Sequence, residues 1–433
     1  MSRAAAVYNA NWIIGGRVLH ALLQLVVGTL SARYLGPEDY GLLHFAASVT
    51  AFAVPVMQLG LQETLVREYV EKREPEERIL GTSLVLNLLS GFLCALGVTG
   101  FCLLSGGKDR TLICGLYSIS LVFRGLELVQ LRFQAALQAK YCASATLLGY
   151  LVMSVFRLWL LATGKGTAWF ALSHSLEFAV AGAILLHRCC RAGTGKPAFS
   201  WETARKLLSR SCHYIPAALL VTCFQNVDHV LLTLLKGEGA NGLYTCAVTC
   251  ANLTGFVFYA LVDSLRPVIL SSRSGVEFSR NMAGLYGLML WLGLGQSLCF
   301  VLLARPIVTF LYGAEFAGAV PVLRVLTWNT AFSMVGAARN VWLLARERYS
   351  LLWKINLAGA VVSFGLNVLL IPRFGPQGAA AASVMTQLVA NVAVGFGIPG
   401  MQENQALLLK GLNIRNLWVW LRSWCGSDEG RSA

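Results

Sequence analysis

Twelve apolar runs, each near twenty residues long, alternate along the chain with short polar turns and a few longer charged loops. A helix that crosses the hydrocarbon core of a bilayer needs about 20 mostly apolar residues. On that criterion the pattern predicts twelve transmembrane helices. They cover 10–33, 41–61, 80–104, 111–131, 142–163, 167–187, 213–235, 242–263, 281–303, 323–345, 351–371 and 378–399. The first run is too long for a signal-peptide core and reads as a retained span. Segments 62–79 and 188–212 mix charge with periodic apolar residues and predict short helices on the membrane surface. The tail sets Trp418, Trp420 and Trp424 among Arg415 and Arg422 and belongs to the same class.

The turn RYLGPEDYGLL (33–43) has an echo in KGEGANGLY (236–244). Gly36, Gly41, Leu42 and Ala46 align with Gly237, Gly242, Leu243 and Ala247 at one offset of 201 residues. A weaker match joins the hairpins at 141–172 and 349–383. The expected fold is therefore an all-α integral membrane protein with two six-helix lobes related by an internal repeat. Its parts are an N-terminal lobe (1–188), an amphipathic linker (189–211), a C-terminal lobe (212–400) and a short interfacial tail (401–433). Transporters built from such repeats bind cargo between the halves.

Composition agrees with that pattern. Charged residues make up 13% of the chain, against about 25% in soluble domains. Mean hydropathy is +0.62. The net charge of +14 would suggest nucleic acid on a soluble protein. Here it follows the rule that cytoplasmic loops collect Lys and Arg. With a cytoplasmic N-terminus, 23 of the 35 basic residues fall in inside loops and eight in outside turns. Both termini are thus expected in the cytoplasm, and nucleic acid is excluded as a partner. The twelve cysteines form no CxxC pair and are mostly scattered through apolar runs, so neither a disulfide framework nor a metal site is expected.

Catalytic motifs are missing. GTGKP (193–197) lacks the spacing of a phosphate-binding loop, and neither HExxH nor GxSxG occurs. No cofactor and no catalytic residue is assigned. What carries chemistry is the set of polar residues inside spans, which by default face the bundle interior. Arg17, His20, Gln24, Gly28 and Ser31 make one helical stripe in the first span. The fourth gives Tyr117, Ser120, Arg124, Glu127 and Gln130, the fifth Ser154 and Arg157, and the sixth His174 and Glu177. The seventh gives Gln225 and Asp228, and the tenth Arg339 and Asn340.

Each has a structural alternative. Arg124 and Glu127, at i,i+3, can neutralise each other, and so can His174 and Glu177. Arg17 can snorkel to the membrane surface. Arg157 has no acidic neighbour one turn away on its own helix, which favours the lumen. Arg17, His20, Gln24, Arg124, Arg157, Arg339 and Asn340 are the candidate anion-binding residues, because guanidinium forks suit phosphate. Asp228, Glu127 and Glu177 are the acidic residues in the interior of the spans.

Four segments resemble one family. They are ARYLGPEDYGLL, VDHVLLTLLKGEGANGLYTCA (Val227–Ala247), FLYGAEFAGAVPVLRVLTWN (Phe310–Asn329) and LLWKINLAGAVVSFGLNVLLIPRFGPQGAAAAS (Leu351–Ser383). Their order and spacing are similar to those of polysaccharide-export flippases. These form the Wzx-like branch of the multidrug/oligosaccharidyl-lipid/polysaccharide exporter superfamily. The resemblance implies a two-lobed carrier that alternates between inward-open and outward-open states. The implied cargo is an oligosaccharide on a polyprenyl pyrophosphate, used in surface polysaccharide synthesis. It also implies contact with membrane lipid, H⁺ or Na⁺ as coupling ion with Asp228, Glu127 and Glu177 as the candidates to bind it, and a glycan polymerase and export machinery as partners. Two other classes stay open. An ion-coupled small-molecule exporter on the same scaffold would favour an acidic, aromatic cavity. A membrane-embedded glycan polymerase would need a long external loop, which the turns do not provide.

Overall fold

A computed structural model of the chain describes residues 3–71, 74–136, 138–191, 197–272 and 274–425, with backbone only at 3–19, 63, 139 and 423–425. Its ordered elements are helical throughout. In chain order the α-helices are α1 (Arg3–Met57), α2 (Leu61–Glu71), α3 (Glu76–Ser105), α4 (Lys108–Ser118), α5 (Ser120–Arg124), α6 (Val129–Ala135), α7 (Ala139–Ala162), α8 (Thr167–Arg191), α9 (Trp201–Ser211) and α10 (Ile215–Lys236). They continue with α11 (Glu238–Ala251), α12 (Gly255–Leu270), α13 (Gly275–Tyr312), α14 (Ala319–Leu326), α15 (Trp328–Ala345), α16 (Leu352–Leu388), α17 (Val394–Gly397), α18 (Gln402–Leu412) and α19 (Ile414–Cys425).

Apolar runs and helices do not correspond one to one. Among the described residues, eight helices are long and apolar enough to cross a membrane, or nine if the pair α11 and α12, bent by 42°, is one span. The protein is therefore a multi-pass, all-helical membrane protein. The run expected at 111–131 is broken into α4, α5, a 3₁₀ turn (Gly125–Leu128) and α6. Helix α1 carries the first two runs and α16 the last two. Each is broken by a kink at a left-handed glycine, Gly36 (φ 73°) and Gly375 (φ 56°). The proline that follows each glycine has no N–H to continue the ladder, and only glycine takes that φ without strain.

The chain divides into two compact units, Met1–Gly242 and Leu243–Ala433. In the first, Phe45, Ala46, Met57, Cys102, Cys114, Leu121 and Ala171 form one apolar core. Leu80, Val129, Phe133, Leu185 and Cys189 form another. In the second unit Met282, Leu285, Tyr286, Met289, Val335 and Trp342 are the centre. Large apolar side chains such as Leu104, Phe310 and Leu302 stay exposed. That is the expected surface of a protein whose solvent is lipid.

Within the first unit, the two echoing turns touch. A Cβ added at Gly41 would stand 1.9 Å from the Glu238 carbonyl oxygen, and one at Gly242 would stand 1.9 Å from that of Pro37. The contact is reciprocal at the offset of 201, so the backbones meet with no side chain between them. Small residues permit such approach in membranes. Asn241, fully buried beside it, donates from Nδ2 to Gly41 O at 2.9 Å. Its Oδ1 accepts from His229 Nδ1–H at 2.8 Å. Arg110 completes the corner, pairing with Glu238 and lying 5.2 Å over the Phe45 ring.

The linker helix α9 docks on the first unit. The Ala198 N–H donates to Glu77 O at 3.1 Å, and the Ser200 N–H to Thr82 Oγ1 at 3.0 Å. Ser200 caps α9 by accepting the Thr203 N–H. Arg210 pairs with Glu68 on α2 at 2.5 Å, and Lys206 with Glu74 at 3.0 Å. Leu61, Leu65, Tyr69 and Leu207 close the layer between α2 and α9. Burial there pushes the Tyr69 phenol up from its ordinary range.

Candidate translocation site

A polar and aromatic cluster sits where α1, α4, α5, α7 and α8 meet. Arg157 extends from α7 toward α8. Its Nη2 donates to Glu177 Oε2 at 2.7 Å and its Nε to Ser173 Oγ at 3.0 Å. The pair is largely shielded, with 13% and 18% of the two side chains exposed. The guanidinium also lies 5.7 Å from the Tyr150 ring, which packs at 4.4 Å against His20. His174 stacks on Tyr117 at 4.2 Å and meets the edge of Phe178 at 5.1 Å. The sixth-span pairing of His174 with Glu177 is thus replaced by ring stacking on one side and Arg157 on the other.

Arg124 lies 4.4 Å over the face of Phe178. Its Nε is buried and has no hydrogen-bond partner. Among the described residues no ion pair joins it to Glu127, so the expected i,i+3 neutralisation does not form. The cation–π contact draws the guanidinium to α8 instead. Glu127 is half-buried and stays within electrostatic reach of Arg124 and Glu177. The pairing is thus the reverse of the one the sequence suggested, where Glu127 could neutralise Arg124 and Arg157 had no acid nearby on its own helix. Arg157 is neutralised, while Arg124 keeps a donor free for a ligand.

The remaining expected residues lie elsewhere. Gln24 is exposed on α1, and the side chain of Arg17 lies outside the described residues, as does that of Trp424. Asp228 is half-buried on α10 and accepts the His229 N–H at 2.9 Å. Arg339 and Asn340 belong to a second cluster, in the second unit. Arg339 is 5% exposed and has no carboxylate within ion-pair distance among the described residues. Its Nη1 donates to Ala390 O at 3.0 Å and to Asn391 Oδ1 at 2.9 Å, and its Nη2 to the exposed Asn340 Oδ1 at 3.3 Å. Ala390 and Asn391 stand on a single π turn, Val389–Ala393, which opens the ladder and frees a carbonyl. A groove of about 550 Å³ lies apart from both clusters, on α9, lined by Trp201, Ala204, Arg205, Leu208, Ser209 and Cys212.

Sequence reasoning missed Ser173, Tyr150, Phe178 and Asn391. The rings were legible only as apolar residues near polar stripes. Asn391 sits in a run of Val and Ala, where its polarity was the one available signal.

Residues 6–272 match the family of polysaccharide biosynthesis proteins. The Staphylococcus aureus capsular polysaccharide biosynthesis protein CapF is 20% identical over 412 residues, covering 89% of this chain and 98% of that protein. Among solved structures, the lipid II flippase MurJ in an inward closed conformation superposes with a TM-score of 0.73 at 14% identity, covering 94% of this chain and 92% of MurJ. An inward-facing multidrug resistance MATE family transporter gives 0.69 at 15% identity, covering 90% and 95%. The chain belongs to the polysaccharide biosynthesis protein family, and its fold is that of these membrane transporters.

Proposed function

We propose that the protein is a flippase that moves a polyprenyl-pyrophosphate-linked oligosaccharide across the cytoplasmic membrane for O-antigen, capsule or exopolysaccharide synthesis. One observation carries the reading: Arg124 holds an unbonded, buried Nε–H inside an aromatic cluster of a polysaccharide-family membrane protein. A diphosphate entering a low-dielectric site needs a directed cation that is not already neutralised. The CapF relative is named for capsular polysaccharide biosynthesis, and MurJ is a lipid II flippase. Both support a lipid-linked glycan as cargo.

The proposed topology has twelve crossings in two six-helix lobes, 1–188 and 212–400, with both termini cytoplasmic. Alternating access would be driven by H⁺, Na⁺ or the cargo gradient, with Glu127, Glu177 and Asp228 as the coupling carboxylates. Arg17, His20, Gln24, Arg339 and Asn340 are the further cargo contacts in this reading. A cation-coupled small-molecule exporter is the second reading. Glu177, within electrostatic reach of both Tyr117 and Glu127, favours it.

Reconstituted proteoliposomes carrying a fluorescent polyprenyl-pyrophosphate oligosaccharide decide between them. Arg124→Ala should slow translocation about tenfold or more, the effect of losing a hydrogen bond to a charged group. Undiminished glycan transport by Arg124→Ala would sink the reading. Transport of an organic cation with no glycan movement would select the exporter.

A further inference from the structure

Helix α19 has one broad apolar face, and the protein covers part of it. Leu417 and Trp420 are buried. Trp420 fills the space left by Gly284, where an added Cβ would meet its ring at 2.4 Å. Its Nε1–H donates to Asn281 Oδ1 at 3.2 Å. Gly287 continues the same groove beneath Leu417. The preceding helix is fixed as well: Tyr286 donates to Asn404 Oδ1 at 2.5 Å, and Arg346 pairs with Glu403. On the flank next to that covered part Ile414, Trp418 and Leu421 are 55%, 54% and 39% exposed. Their spacing of four and three residues makes them one stripe. Arg415 and Arg422 are exposed beside it, and the Arg422 guanidinium lies 3.6 Å over the Trp418 ring. From Lys410 to Arg422 the chain holds three cations and no acid.

Position says what meets that stripe. Asn281 and Gly284 are among the first residues of the apolar run 281–303. Trp420 therefore pins α19 at the level where α13 enters the hydrocarbon. A helix lying there has protein on one side and lipid headgroups on the other. Indole rings settle at that depth, and arginine extends its charge back to the phosphates. We propose that the outer face of α19 is a docking surface for anionic phospholipid. Arg415 and Arg422 hold the phosphate, and Ile414, Trp418 and Leu421 enter the acyl boundary. The inference depends on membrane placement and not on the cargo.

Native mass spectrometry of the full-length protein tests it, with phosphatidylglycerol and phosphatidylcholine of the same acyl chains titrated into the delipidated sample. Wild type should prefer phosphatidylglycerol. The double variant Arg415→Gln/Arg422→Gln should lose that preference by about tenfold, with phosphatidylcholine binding unchanged. Both substitutions are on exposed side chains, so the unfolding temperature should stay constant. Equal phosphatidylglycerol binding by wild type and variant overturns the proposal. So does a dimer that the same variant converts to monomer while lipid preference persists, because the stripe would then join two copies of the chain.

Discussion

A guanidinium bonded to a carboxylate and one lying on a phenyl face answer differently to truncation. Removing Arg157 leaves Glu177 charged and shielded, with its donor gone. Breaking a buried pair in this way costs about 3–5 kcal/mol, less where water still reaches the ions. Arg157→Ala should therefore lower the unfolding temperature in detergent, and adding Glu177→Ala should restore part of it. Arg124 has no carboxylate to strand, so Arg124→Ala should lose only the cation–π contact, about 0.5–2 kcal/mol. If transport falls in both variants and stability falls mainly in Arg157→Ala, the two roles separate. Recovery of neither property in the double variant would count against the pairing. The candidate stripes were legible because polar residues are rare in apolar runs. Which of them pair was not, since Arg157 and Glu177 stand on different helices twenty residues apart.

Among elements, the kinks carry the most local information. Gly36-Pro37 and Gly375-Pro376 stood out in the sequence, because glycine and proline are the residues such a bend needs. The breaks in the fourth run and near α12 were less visible, since no proline marks them and the apolar pattern continues through. The glycine contact has a direct test. Gly242→Ala places a methyl where the Pro37 carbonyl stands, and overpacking of that kind costs about 1–3 kcal/mol. Gly97→Ala on α3 meets nothing within 4 Å and serves as the control. Thermal unfolding in detergent should separate them; equal stability would show that the backbone at Gly242 yields freely. Helix α9 teaches a related point. Its amphipathic pattern announced a surface helix, but its partners Glu68 and Glu74 lie more than a hundred residues earlier and left no local trace.

For the molecule as a whole, the imbalance of basic residues between loops sets an orientation. A fluorescent protein fused after Ala433 should fold and fluoresce in the cytoplasm, and alkaline phosphatase fused at Gly164 should be active outside. The reverse pair of signals would invert the proposed topology. Composition and hydropathy were enough to place the chain in a membrane, because they average over every span. The first compact unit reaches Gly242 because α10 packs on α1 through contacts of high sequence separation, which leave no local trace in the sequence. The meeting of Gly41 and Gly242 also limits what either position can become: each glycine faces a main-chain carbonyl, of Glu238 and of Pro37, so neither can accept a larger residue while the contact stands.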